Sequence, residues 1–225
     1  MLSNRLKEVA TMVTENSIVA DIGTDHGYVP IYLVENHIAK KVYAMDINEG
    51  PLKIANKNIS QRGLADCIET ILSDGMEKMK DNMADTVVIA GMGGDLIVNI
   101  LKKGENISGI NELVLSPHKR VDLVRKYLLE NNWNIVKEKF LMDAGKYYTI
   151  IKAVKDGKKE DYSEAQLVYG KYLLEHKDKT LKEYLKKEKN KFENILRNME
   201  ENDSVHIDKI KAKLKLNMEG REYYD

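Results

Sequence analysis

Four aspartates of this 225-residue chain stand beside glycines or at the ends of apolar runs. They are Asp21 and Asp25, on either side of Gly23, then Asp46, and Asp74 just before Gly75. Each run has the length of a strand, so each carboxylate is left at a turn, where small residues let a ligand approach the backbone closely. Thr24, His26 and Gly27 complete the first turn, and Val29, Leu33, Ile31 and Val34 follow it with the spacing of a helix. Strand, glycine turn and helix N-terminus together form a ligand-holding unit.

The acids indicate which ligand. A dinucleotide turn carries G-x-G-x-x-G, with its second glycine against the pyrophosphate; that position here is Asp25, and Asp21 lies two residues before Gly23. Two carboxylates repel a pyrophosphate. S-adenosylmethionine has no phosphate and carries a cationic ammonium and sulfonium, so the turn favours it over NAD. A plain Asp-Gly turn is the competing reading. Asp46 lies 23 residues beyond Gly23, the separation at which a carboxylate after the second strand reaches ribose hydroxyls. Ile47 follows it into the crevice. Asp74 and Gly75 either accept from an adenine amino group or simply turn the chain.

A second glycine run, Gly91, Met92, Gly93 and Gly94, follows the apolar residues 86–90. No Lys-Ser/Thr pair comes after it, so it is not a P-loop. It reads either as the floor of a reaction site or as a tight helix-sheet contact. Asp95 comes next and, like Asp25, is a candidate to stabilise positive charge developing on a substrate ring. Tyr28 or Met92 would pack on such a ring. Arg5 is either a solvated helix arginine or a contact to the cofactor carboxylate. Pro117 and His118 follow the fifth strand and face the substrate or the solvent. Lys182, Lys186, Lys187 and Lys189 belong to a run, 177–191, with seven lysines against three acids; it is either a solvated face or a grip on a polyanion.

The elements that must position these residues are regular. Residues 3–15 have an amphipathic helical pattern with Ser3 as cap. Strands are expected at 19–22, 42–46, 67–72, 86–90 and 113–115, with helices at about 51–62, from 96, and at 120–131. Residues 133–141 and 147–154 alternate around 142–146 like antiparallel or edge strands. Five β-α units and two further strands predict an α/β, Rossmann-like sheet of the class I methyltransferase pattern over residues 1–155. From 156 to 225 there is no strand signal. Ser163 and Gln166 make a capping box, a helical period runs to about Glu200, and Asn202, Asp203 and Ser204 break it. Val205, Ile207, Ile210, Leu214 and Met218 form a second stripe, so a helical hairpin or coiled coil is expected.

Composition bounds the rest. The chain is 43% hydrophobic and 32% charged with formal net charge +0, and each expected domain is itself charge-balanced. Any basic surface is therefore local. The lone Cys67 makes no internal disulfide and is expected in the core, and no Cys/His cluster has metal-ligand spacing, so no metal is expected. No run is long enough for a membrane span, and the start lacks a secretory pattern, so the cytoplasm is expected.

The run from Asp21 to Pro30, with its Asp25-His26 pair, together with residues 90–94, the Leu2, Ser3, Arg5 and Leu6 start and the helical tail, resembles the bacterial TrmK family over essentially the whole chain. That family methylates N1 of adenine-22 in tRNA. The resemblance implies S-adenosylmethionine in the 21–27 crevice and a C-terminal coiled coil that helps to engage tRNA; separately, a monomer is expected. It departs at His118, where the family pattern has an amide. The rival expectations are a methyltransferase with another RNA or small-molecule acceptor, and a non-catalytic protein that senses the cofactor.

Overall fold

The computed structural model describes residues 2–199 and 204–225. The helix end expected near Glu200 and the break at Asn202 and Asp203 lie outside them. The elements in order are α1 (Asn4–Ala10), β1 (Ser17–Ile22), α2 (Tyr28–Glu35), β2 (Ala39–Asp46), α3 (Glu49–Gln61), β3 (Ile68–Leu72), β4 (Thr86–Ala90), α4 (Gly94–Lys103), β5 (Glu112–Ser116), α5 (Val121–Glu130), β6 (Asn134–Asp143), β7 (Lys146–Val154), α6 (Glu164–Tyr169), α7 (Lys171–Glu175), α8 (Lys179–Arg197) and α9 (Ser204–Glu222).

The strands form one seven-stranded sheet in the order β3-β2-β1-β4-β5-β7-β6. β1 to β5 run parallel, and β7 pairs antiparallel with both β5 and β6. Alternation along the strands divides the core. Ala20, Ile22, Val87, Ile89, Leu113 and Leu115 face α4 and α5, whereas Val19, Val42, Ala44, Val88 and Val114 face α1, α2 and α3. β4 and β5 are therefore apolar on both sides, as a parallel sheet covered by helices requires. The chain leaves β1 toward β2 on one side, and β4 lies on the other. The carboxyl ends of β1 and β4 thus flank a topological switch point, where such sheets bind ligands. Both glycine runs emerge there.

Three expectations about elements need correction. The first helix stops at Ala10 rather than Glu15, because the Thr14 backbone N–H and hydroxyl both donate to the Glu112 carboxylate and draw the chain toward β5. Cys67 stands just before β3 and is only half-buried against the core. The period from Ser163 is not one helix but three. It breaks at Gly170 (φ 96°), where the chain passes over the Glu138 carboxylate, and at Lys177 (φ 51°) before the Asp178 cap of α8.

The first of those breaks surrounds a buried ion pair. Arg125 Nε donates to Glu138 Oε1 at 2.8 Å, both side chains are almost fully enclosed, and Arg125 Nη1 donates to the carbonyls of Leu167 and Val168 at 2.7 and 2.9 Å. Burial pushes the Glu138 carboxyl up; Arg125 and the N–H groups of Tyr172 and Leu173 oppose that rise. One guanidinium therefore closes the carboxyl end of α6, while the carboxylate faces the start of α7.

Beyond it, α8 and α9 lie antiparallel, with the Tyr224 hydroxyl donating to the Asp178 carbonyl and the Asn217 amide to Leu185 O and Glu188. Ile210 and Asn217 are buried on this seam. Val205 and Met218, assigned to the stripe by spacing, are exposed. Asn217 takes a core position because both acceptors of its amide lie on α8.

Arg125→Met should lower the unfolding free energy by about 3–5 kcal/mol in urea titrations, because it strands a buried carboxylate. Arg125→Met with Glu138→Leu should lose less.

Candidate active site

Gly23 leaves β1 at φ 76°, a left-handed conformation that a side chain disfavours. A Cβ there would also lie 2.3 Å from Met92 Cε, so the two glycine runs touch at this point. The N–H groups of Gly23 and Thr24 donate to the Met45 carbonyl at 2.8 and 3.0 Å, fastening the turn to β2. Asp46 fastens it again: one carboxylate oxygen accepts from Asp25 N at 3.3 Å and the other from Asn48 N at 2.9 Å. Two oxygens offer about four acceptor sites, so lone pairs remain for a ligand.

A cleft of about 510 Å3 opens at this switch point, within the size range of small-molecule sites. Of the residues singled out from sequence, Arg5, Asp21, Gly23, Thr24, Asp25, Tyr28, Asp46, Ile47, Asp74, Gly75, Gly91, Met92 and His118 line it. His26, Gly27, Gly93, Gly94, Asp95 and Pro117 do not. His26 stands behind the turn, its Nδ1 at 3.3 Å from Asp25 Oδ1 and its ring edge-on to Tyr28.

The second glycine run does two jobs. Gly91 and Met92 form a wall of the cleft, whereas a Cβ on Gly94 would meet the Arg120 carbonyl at 2.4 Å, so that glycine serves the contact between α4 and the loop before α5. Asp95 is drawn away from the cleft, exposed and 3.6 Å from Arg120 Nη1. This corrects its placement beside a reacting ring. Asp74 does line the cleft, but its carboxylate pairs with Lys103 at 2.8 Å.

Asn48, Ser73, Leu96 and Ile100 also line the cleft, as do Leu6 and Val29, which the sequence marks only as helix residues. Leu96 and Ile100 sit four residues apart on α4, and their spacing shows only that they share a face. Arg5 reaches the cleft from α1, with Nη1 donating to Ser116 Oγ at 3.4 Å and its guanidinium 5.1 Å from the Tyr148 ring centre. It is not a freely solvated side chain. The His118 N–H donates to the Met92 carbonyl at 2.9 Å, and its ring meets Tyr148 edge-on. Burial holds the His118 imidazole below its ordinary value, and the charges of Arg5 and Lys146 lower it further.

The four lysines separate. Helical spacing puts Lys182, Lys186 and Lys189 on one side of α8, with Lys189 paired to Glu193 at 3.5 Å. Lys187 is turned toward β7, where it donates to the Tyr147 hydroxyl at 3.2 Å.

Asp21 carries the electrostatics of the cleft. It is 3% exposed, and burial raises its carboxyl to about 7; the Thr24 side chain opposes the rise and Asp46 adds to it. Among the described residues no cationic side chain pairs with it. A buried carboxyl in this state is ionised by an incoming cation. A ligand with positive charge near β1 and hydroxyls near Asp46 therefore fits, and S-adenosylmethionine has both. No group of three or more His, Cys, Asp or Glu among the described residues is placed to hold a metal.

Comparison with known proteins agrees with this geometry. Residues 2–151 match a family described as a methyltransferase domain. The chain is 34% identical over 182 residues to the tRNA (adenine(22)-N(1))-methyltransferase of Bacillus subtilis, covering 79% of this chain and 76% of that one. Its structure is similar to M. capricolum TrmK in complex with S-adenosyl-homocysteine, with a TM-score of 0.88, 32% identity and 99% of each chain covered. It is also similar to the B. subtilis m1A22 tRNA methyltransferase TrmK, with a TM-score of 0.86, 27% identity and 98% and 99% covered.

The raised carboxyl has a signed consequence. Between about pH 4 and 7 the folded chain keeps a proton on Asp21 that the unfolded chain releases, so stability falls as pH rises through that window. Asp21→Asn removes this term. Thermal unfolding at pH 8 should find the variant more stable than the parent, by up to ~4 kcal/mol, and calorimetry should find weaker binding of a cationic ligand. In the parent, that binding should strengthen as pH rises through about 7.

Proposed function

The chain belongs to the TrmK family of bacterial tRNA methyltransferases, and from that premise we propose that it transfers a methyl group from S-adenosylmethionine to N1 of adenine-22 in tRNA. The observation that carries this reading is the acid-lined cleft at the switch point, whose buried Asp21 has no cationic partner among the described residues while Asp46 keeps acceptors free. When bound, the cofactor supplies an electrophilic methyl on a sulfonium.

The residues of the chain do the rest. Asp21 holds positive charge at the end of β1, Asp46 receives ribose hydroxyls, and Met92 against Gly23 closes the cleft from the β4 side. Ile47, Leu96 and Ile100 supply apolar surface for the adenine ring. Adenine N1 has a lone pair and attacks the methyl carbon in line with the departing sulfur. No strong base is required, since alignment alone is worth about 7–11 kcal/mol. The methylated ring becomes cationic. Asp25, which lines the cleft, is the carboxylate placed to stabilise it, in place of Asp95. N1 is hidden in folded RNA, so the base is turned out against Tyr28.

Residues 156–225 extend the surface for the RNA, with Lys187 nearest the sheet. No helix among the described residues is long and apolar enough to cross a membrane, and a tRNA substrate favours the cytoplasm.

Incubation with unmodified tRNA and methyl-labelled cofactor should place label on N1 of adenine-22, and tRNA with guanine there should stay unlabelled because its N1 bears a proton. Cofactor binding without transfer to any RNA would refute the reading. Asp46→Ala should weaken cofactor binding roughly 10- to 100-fold by calorimetry, the loss of charge-assisted hydrogen bonds.

A further inference from the structure

A second, smaller cavity of about 170 Å3 opens where β6 and β7 meet α6 and α8, and His118 lines both it and the cleft. Its other walls include Phe140, Tyr147, Thr149, Val168 and Tyr184. Tyr147 lies parallel to Phe140, with ring centres 5.3 Å apart, and Tyr184 meets both edge-on. No lysine or arginine lines the cavity. Two strand hydroxyls line it: that of Tyr147, which accepts from Lys187 at 3.2 Å, and that of Thr149, a residue only 6% exposed. The Tyr184 hydroxyl is already committed to Glu188 at 2.7 Å. At the rim stands Lys187, its ammonium 5.9 Å from the Tyr147 ring centre.

Flat aromatic walls, a threonine hydroxyl and an imidazole suit an uncharged planar heterocycle with its own donors and acceptors. They do not suit a phosphate, which Lys187 would meet outside. The volume admits one ring system. Because His118 is the shared wall, an occupant here lies next to whatever fills the cleft.

We propose that this cavity receives a second base of the tRNA, a neighbour of the adenine presented to the cleft, while Lys187 meets its phosphate. The proposal rests on the tRNA reading above. It adds a base-binding subsite formed jointly by the sheet edge and the C-terminal helices. A stacked neighbour would hold the strand open beside the target base, which duplex or stacked RNA does not do by itself.

Two full-length variants test it without removing an aromatic wall. Thr149→Val deletes the hydroxyl at constant shape, and Val168→Trp plugs the cavity from a position that is 40% exposed on α6. Filter binding of unmodified tRNA should weaken roughly 2- to 10-fold for the first and roughly 5- to 100-fold for the second. Cofactor affinity by calorimetry should stay at the parent value. A single-stranded RNA with 2-aminopurine beside the adenine should be quenched by the parent and not by Val168→Trp. Unchanged tRNA affinity in both variants overturns the proposal, and so does a parallel loss of cofactor binding. Label from the parent at a position other than adenine N1 would instead refute the functional reading and leave the quenching test standing.

Discussion

Everything at the cleft depends on a carboxyl group held out of water with no cation beside it among the described residues. Asp21 shares the face of β1 that carries Val19, so the same alternation that builds the core also buries the acid. Burying a charge without a partner is unfavourable, and the group responds by keeping its proton near neutrality. The folded protein thus carries a local electrostatic cost that a cationic ligand removes on binding. This makes the cleft selective for charge sign before any shape is considered. An anionic dinucleotide would meet Asp21, Asp25 and Asp46 together.

Close backbone approaches set the shape of that cleft. Gly23 admits the Met92 methyl, and Gly94 admits the carbonyl of Arg120. These contacts bring the turns after β1 and β4 together and leave Gly91 exposed to the cleft beside His118. Asp46 adds rigidity by accepting from the turns after both β1 and β2. A cleft built from crossed backbone turns is largely preformed, as an alignment-driven methyl transfer needs.

The C-terminal helices are joined to this body through polar contacts as much as through packing. Arg125 and Glu138 grip the α6-α7 junction from inside, and the stacked rings of Phe140 and Tyr147 receive Tyr184 from α8. Glu188 then gathers the hydroxyls of Tyr169 and Tyr184 and the amide of Asn217. A buried ion pair is a poor source of net stability but a good device for fixing register. Here it ties the end of α6 and the start of α7 to α5 and β6.

The α/β pattern, the two glycine runs and the acids at Asp21, Asp46 and Asp74 are legible in the residues alone, because strand alternation, turn chemistry and the spacing of Asp46 from Gly23 are local properties. The TrmK resemblance rested on residues 21–30 and 90–94 together with the start of the chain and the helical tail. Which of these residues meet in space depends on the folded chain. Asp95 and Asp25 each belong to a glycine-containing turn, yet one turns to Arg120 and the other to the cleft, through contacts between segments far apart in the chain. The interruption at Gly170 was hidden for the same reason. A helical period records which residues share a face, but the Arg125-Glu138 pair that occupies the break comes from α5 and β6, and no local pattern carries a partner's position.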